Sequence, residues 1–249
     1  VEKENMLGGR AILLSRDRHG NDPRRAIGEL AARVRQHEKI TVLTDAELHT
    51  ISGYVGNFTS TVAGHGGNTV INHGVMVIAT GGRPYLPKQC GYGQSSRVLT
   101  QLDLEERLAA RKPLPADCRR VVMIQCVGSR GDDLAYCSRV CCGQAVKNAL
   151  RIKEIAPDTQ ITVLYRDLRT YGFMEDDYRK ARLQGVIFTR FSPERPPQVT
   201  PGKGKTGRPA VSYFDPILGE EIKVAADLLV LATGIKSEDP APLAKLLKT

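Results

Sequence analysis

The chain has 249 residues, a formal net charge of +9 and no tryptophan. Hydrophobic residues make up 41% and charged residues 25%, the balance of a chain that buries one large or two ordinary cores rather than staying disordered. The basic residues are dispersed and aromatics are only 5%, which argues against nucleic-acid binding and leaves docking to an acidic redox partner as the better use of the charge. No apolar run approaches the ~18–20 residues of a membrane span and no signal peptide is evident, so a cytoplasmic protein without a membrane span is expected.

In chain order, Glu2 is followed by Gly8, Gly9 and Arg10. An acidic side chain at the end of a strand meets a ribose hydroxyl in dinucleotide folds, about 20 residues after a G-x-G-x-x-G turn. That turn does not precede Glu2, which suggests a fragment beginning at the second strand of a Rossmann unit. Residues 22–37 have helical spacing (Ile27, Leu30, Ala31, Val34), with Asp22 as N-cap and Pro23 at the first helical position. A short strand is expected at 40–43 and a small antiparallel meander over 45–70, punctuated by Gly53, Gly56, Gly64, Gly66 and Gly67. Residues 74–78 read as a buried strand ending in Ala79-Thr80-Gly81. A short helix over 102–110 and a Pro113-Leu114-Pro115 break lead to a second buried strand at 121–124. A helix follows from Ala145, then a strand at 161–165, a helix at 175–183, a strand at 186–188 and an exposed hairpin or loop at 193–209. A last buried strand at 228–231 ends in Ala232-Thr233-Gly234. The two A-T-G endings have a common rationale, since small residues let backbone and ligand approach closely beside a bound dinucleotide.

The densest chemistry lies in one turn. Cys126, Cys137, Cys141 and Cys142 follow the strand at 121–124 and lead into the next helix. A strand–turn–helix of this kind in a two-dinucleotide flavoprotein holds closely spaced glycines for a pyrophosphate, but Gly128, Gly131 and Gly143 lack that spacing. Thiols in their place suggest a metal cluster. Cys137 and Cys141, four apart, can share a helical face, and Cys142 joins them only if the helix is irregular at its start. Four thiolates suit zinc or an iron–sulfur cluster, and redox-active thiols are a third reading. The vicinal pair departs from the usual C-x2-C zinc knuckle and favours iron–sulfur. Cys90 and Cys118 have no partners at ligand spacing. Lys147, five residues past Cys142, is either a snorkelling surface lysine or a cation facing a flavin.

At these residues the sequence resembles the flavin-containing A subunit of heterodisulfide reductase and related components of anaerobic electron-transfer complexes. The matching text is IQCVGSR and YCSRVCCGQAVKNALRIKE within 124–154, with ITVLYRDLRTYG at 161–172. GYVGNF at 53–58, HGVMVIATGG at 73–82, VLTQLDLEERL at 98–108 and LLVLATGI at 228–235 match as well. The resemblance implies an α/β fold of two Rossmann-like, thioredoxin-reductase-like domains with a small antiparallel β meander. FAD is expected in the first domain and a 4Fe-4S cluster in the domain that binds NADPH in ordinary relatives. By position, Cys126, Cys137, Cys141 and Cys142 would be the cluster ligands and Lys147 the lysine near the flavin ring, the residue given a catalytic role. Glu2, Gly9, Arg10, Ala79, Thr80, Gly81, Thr233 and Gly234 would line the FAD cleft. The expected division is 1–110 and 227–249 for the FAD-binding domain and 111–226 for the NAD(P)-binding-like domain. The expected function is FAD- and cluster-dependent electron transfer within a larger oxidoreductase complex. The expected partners are heterodisulfide-reductase B- and C-like subunits, a hydrogenase- or dehydrogenase-type donor and a second copy forming a homodimer. The alternatives are an NAD(P)H-dependent flavoprotein disulfide reductase and a non-enzymatic, metal-stabilised scaffold. Against the family pattern, the N-terminal glycine fingerprint, the late strand that completes the flavin site, a C-S-x-C segment in 9–27 and a ferredoxin-like insertion after Phe58 are missing from the sequence.

Overall fold

The aliphatic runs at 121–124, 161–165 and 228–231 have no polar face to offer water, and the chain buries them side by side in one parallel sheet. The computed structural model describes every residue except 111, 113, 116, 117, 205, 248 and 249. The elements in chain order begin with a 3-10 turn (Gly9–Leu13), α1 (Pro23–Gln36), β1 (Ala46–Tyr54), β2 (Asn57–Gly64), β3 (Gly67–His73), β4 (Gly82–Pro84), β5 (Val98–Thr100) and α2 (Gln101–Ala109). They continue with β6 (Arg120–Val127), α3 (Cys141–Ile155), β7 (Gln160–Tyr165), α4 (Met174–Leu183), β8 (Ile187–Arg190) and β9 (Gln198–Thr200). The chain closes with β10 (Ala210–Asp215), β11 (Glu220–Ala225), β12 (Leu228–Thr233), β13 (Ile235–Ser237) and α5 (Ala241–Leu247).

The chain forms two compact units, Val1–Arg83 with Ser237–Thr249, and Pro84–Lys236. Strands β4 and β13 pair as a two-stranded ribbon. This division differs from the expected 1–110, 111–226 and 227–249. Strands β5 and β12 hydrogen-bond in parallel within the same sheet as β6, so the chain from 84 and through 236 goes with the cysteine strand. Residues 111, 113 and 249, on which the expected boundary, the proline break and the chain end fall, lie outside the described residues.

In the first unit, α1 starts where expected: Asp22 accepts the Arg24 N–H at 2.9 Å and Pro23 occupies the first turn. The meander is an antiparallel sheet in the order β1-β2-β3. Two expected strands do not form. Residues 40–43 are irregular: the Ile40 N–H bonds back to the His37 carbonyl at 3.0 Å, and the Glu2 N–H meets the Leu43 carbonyl at 2.8 Å. The Asp45 and Ala46 N–H groups return to the Glu4 and Glu2 carbonyls at 3.2 and 3.1 Å. Residues 74–78 are irregular, and Val75 and Val77 stand in solvent.

The second unit has three layers. Its parallel sheet runs β5-β12-β6-β7-β8. On one face Val121, Met123, Val163, Leu228 and Val230 pack beneath α2, α3 and α4, through Leu104, Ala145, Ala149 and Ala181. On the other, Val122, Ile124, Leu229 and Leu231 meet Val211 and Tyr213 of the antiparallel sheet β11-β10-β9. The β10–β11 hairpin, turning at 215–220, lies beyond the elements expected from sequence, and β9 puts a short strand inside the expected loop at 193–209. Helix α5 was likewise not expected. Among the described residues no helix is long and apolar enough to cross a membrane.

Candidate metal centre

Strand β6 leads through α3 to β7 on one side and has β12 on the other, so the strand order reverses between β6 and β12. Open α/β sheets bind ligands in the crevice outside the carboxyl ends of their strands at such a switch point. Cys126 ends β6 there, and Thr233-Gly234 ends β12 beside it, with Thr233 in register with Val127. Cys126 has φ 61°, a backbone region that a glycine would occupy without cost. Arg130 and Arg139, at φ 59° and 61°, repeat this on the way to α3. Left-handed backbone at non-glycine residues costs about 1–3 kcal/mol each and collects at ligand clamps.

Cys141 and Cys142 open α3, where free backbone N–H groups and the helix dipole favour negative charge. The Cys141 thiol donates to the Thr233 carbonyl at 3.2 Å, and the Cys142 thiol to the Asp167 carbonyl at 3.8 Å. Cys137 lies in the loop before the helix, its sulfur accepting the Arg139 N–H at 3.4 Å. Cys137 and Cys141 therefore do not share a helical face; the loop supplies the first, and the helix start the second and the vicinal third.

Each of the four sulfurs lies within electrostatic reach of the other three. Burial, reinforced by the neighbouring thiols, pushes the Cys141 thiol up to about 12. Burial also raises Cys126 and Cys142, against the pull of Arg130 and Arg166 on the former and of the Arg169 backbone and charge on the latter. Such thiols stay protonated at neutral pH and are poor nucleophiles. The arginines are fixed by the loop: Arg130 pairs with Asp167 at 2.7 Å, and Arg166 Nη1 donates to the Arg130 carbonyl at 2.8 Å. Among the described residues no three His, Cys, Asp or Glu side chains are closed into a single-ion site. The donor set, four sulfurs at a helix start with arginine charges in reach, would suit a metal group bound through thiolates.

The remaining expected residues fall in two places. Thr233 and Gly234 belong to the cysteine loop: a Cβ on Gly234 would come within 2.2 Å of Ser129 Oγ and 2.8 Å of Ser138 Oγ. Lys147 is no surface lysine. Its ammonium meets Glu105 of α2 at 2.9 Å, and the Glu105 side chain is 3% exposed. Gln144 holds the other carboxylate oxygen at 3.2 Å. Glu2, Gly9, Arg10 and Ala79–Gly81 lie in the first unit. There Glu2 bonds to the segment at 43–46 and caps the Glu4 N–H at 3.1 Å, Gly9 opens the 3-10 turn, and Ala79, Thr80 and Gly81 are exposed and irregular. Sequence reasoning missed Arg130, Arg166 and Arg169 as a group. The signal was present as arginine at the end of β7 and in the loop beyond it, but nothing in the spacing joins them to Cys126.

A parallel sheet with helices on one face and a three-stranded antiparallel sheet on the other is a Rossmann-like α/β architecture. Solved structures agree. L-Lysine 6-monooxygenase from Pseudomonas syringae superposes with a TM-score of 0.54 at 13% identity, over 92% of this chain and 62% of that one. Bacillithiol disulfide reductase from Bacillus cereus gives 0.50 at 14% identity, over 94% and 69%. At these identities the likeness is one of fold alone. No family model matches the chain.

In sequence the chain is similar to the A subunits of heterodisulfide reductases. It is 38% identical over 180 residues to the iron-sulfur A subunit of the CoB–CoM heterodisulfide reductase of Methanocaldococcus jannaschii, covering 65% of this chain and 26% of that protein. It is 36% identical over 181 residues to the A subunit of the H2:CoB-CoM heterodisulfide, ferredoxin reductase of Methanothermobacter marburgensis, covering 66% and 27%. The chain thus spans about a quarter of the length of the curated relatives it matches.

Proposed function

We propose that this chain is the core of a cytoplasmic electron-transfer protein, similar to the A subunit of heterodisulfide reductase, and that it acts in an oxidoreductase complex. Cys126, Cys137, Cys141 and Cys142 would hold a 4Fe-4S cluster. Glu2, Gly9, Arg10, Ala79, Thr80, Gly81, Thr233 and Gly234 would serve FAD, the last two from beside the cysteine loop. A flavin exchanges electrons in pairs or singly and an iron–sulfur cluster singly, so together the two groups would convert pairs to single electrons. The chain's own part is to position them and set their surroundings. The observation that carries this reading is the gathering of four thiols and three arginines at the switch point of a nucleotide-type sheet. It favours the cluster over NAD(P)H at the same turn. A pyrophosphate needs close backbone approach, and the Cys126 side chain occupies the position where the fingerprint would have a glycine. Lys147 reaches a flavin in this reading only through, or in exchange for, its pairing with Glu105. Other subunits, including B- and C-like proteins, an electron donor and a second copy of the chain, complete the complex.

The test is anaerobic reconstitution with iron and sulfide, followed by visible and EPR spectra and by iron and zinc analysis. Cys126→Ala, Cys137→Ala, Cys141→Ala and Cys142→Ala should each lower iron content or change the EPR signal. Stoichiometric zinc without iron would favour the scaffold reading, and an unaltered signal in Cys142→Ala would remove the vicinal ligand. Calorimetry with NADPH should give no micromolar binding.

A further inference from the structure

We infer that Gln125, Ser129 and Arg166 form a hydrogen-bonding shell that donates to the sulfur atoms of the group held by the four cysteines and raises its reduction potential. The inference rests on the metal centre proposed above and adds residues that spacing could not reveal. Among the described residues of the second unit, the buried side-chain nitrogens and oxygens without a partner are Gln125 Nε2 and Oε1, Ser129 Oγ and Arg166 Nε. Buried polar atoms are ordinarily satisfied, and each exception calls for a reason. In the second unit all of them gather at one turn.

Their placement explains the gathering. Gln125 immediately precedes Cys126, is 1% exposed, and alternates with Met123 and Val121 on the sheet face covered by α3, the helix that begins with Cys141 and Cys142. The Ser129 N–H closes a turn onto the Cys126 carbonyl at 3.1 Å. Its hydroxyl lies against Gly234, next to the Thr233 carbonyl that takes the Cys141 thiol. Arg166 comes from the end of β7, is tied to the loop through the Arg130 carbonyl, and has its charge in reach of Cys126. Unpartnered donors are therefore placed on the strand, on the loop and after the neighbouring strand, beside the cysteines. Sulfides and thiolates accept such N–H and O–H groups more strongly after reduction adds negative charge. Hydrogen bonds to sulfur, together with net charge and solvent exposure, set the potential of an iron–sulfur group. A turn built only to hold metal would have no need to bury these donors.

The experiment is an EPR-monitored redox titration of the anaerobically reconstituted full chain, with iron per chain measured on the same samples. The variants are Ser129→Ala, Gln125→Leu and Arg166→Lys, the last keeping the charge while removing Nε–H. Iron content should stay at the wild-type level in all three. In the Ser129→Ala/Arg166→Lys double variant, the reduced-to-oxidised ratio at the wild-type midpoint should fall about tenfold, a downward shift of about 59 mV for one electron. The single variants should move less, in the same direction. If Ser129→Ala does not fold, Arg166→Lys, at a partly exposed side chain, carries the test alone. Midpoints equal to wild type would overturn the shell, as would loss of iron with no shift in the remaining signal. A wild-type chain that takes up no iron–sulfur group would overturn the metal centre and the shell with it, whereas a loaded wild type with unshifted variants overturns the shell alone.

Discussion

Residues 75–78 and 121–124 are the same four amino acids in different order, Val-Met-Val-Ile and Val-Val-Met-Ile. The second set is the centre of β6, flanked in parallel by β12 and β7, with Met123 fully buried. The first forms no ladder, and Val77 is 82% exposed. Hydrophobicity cannot account for the difference, because it is shared. Apolar composition sets a demand for burial, and neighbouring strands decide whether the demand is met. The two units differ throughout in this way. The second has a sheet packed on both faces, whereas among the described residues of the first only Ala46, Ser60 and Val62 are buried.

The largest effect that could sharpen this contrast comes from the charge inside the second unit. Lys147→Met takes the cation from the buried Glu105 carboxylate and leaves it the neutral Gln144 amide, and removing one partner of a buried pair costs about 3–5 kcal/mol. Urea unfolding should register that loss, and Lys147→Met/Glu105→Leu should recover most of it. If Lys147→Met leaves stability unchanged but lowers the flavin midpoint potential in the assembled protein, the lysine faces the flavin and not Glu105. Next comes the matched pair of apolar runs. Met123→Ala removes a fully buried side chain and should cost about 2–5 kcal/mol. Val77→Ala, in solvent, should stay within about 0.5 kcal/mol. A cost at Val77 comparable to that at Met123 would break the comparison, because it would mean that residues 75–78 are covered in solution.

How far the fold was legible follows from the same contrast. The helix at Pro23 was legible because cap, proline and spacing are local signals, and the meander because glycines mark its turns. The central strands of the second unit were legible because each is long enough, and flanked closely enough by helices, to demand a parallel sheet. Residues 74–78 carried the same signal and form no strand. The pairing of 228–233 with β6 was not legible for a related reason: an A-T-G ending marks a close approach of backbone, but not which sheet the strand joins. At the site, the four cysteines were legible as a group because a thiol in a glycine's place is conspicuous. Their geometry was not, since spacing placed Cys137 on a helix that begins only at Cys141. The arginines and the unpartnered Gln125, Ser129 and Arg166 atoms come together through β6 and β7, a contact between strands that no local pattern encodes.

The smallest expected effect compares one device in both units. Thr100 and Asp103 form a reciprocal capping box on α2, with the Asp103 N–H donating to Thr100 Oγ1 at 3.2 Å and the Thr100 N–H to Asp103 Oδ2 at 2.8 Å. Asp22 does similar work for α1 through one bond to the Arg24 N–H. Loss of either cap should remove about 1 kcal/mol from its own helix. The consequences should differ. Helix α2 buries Gln101, Leu104, Glu105 and Leu108, so its ends are coupled to the core, and Thr100→Ala should lower the unfolding free energy of the whole second unit. Helix α1, at 14 residues, buries none and is marginal on its own propensity, so Asp22→Ala should fray it locally. Native-state amide exchange separates the two outcomes. Asp22→Ala should speed exchange within 23–36 and leave the meander unchanged, while Thr100→Ala should speed exchange in β6 and β12 as well as in α2. Equal acceleration across the first unit in Asp22→Ala would show that α1 is packed as firmly as α2, and the contrast between the units would then be confined to residues 40–43 and 74–81.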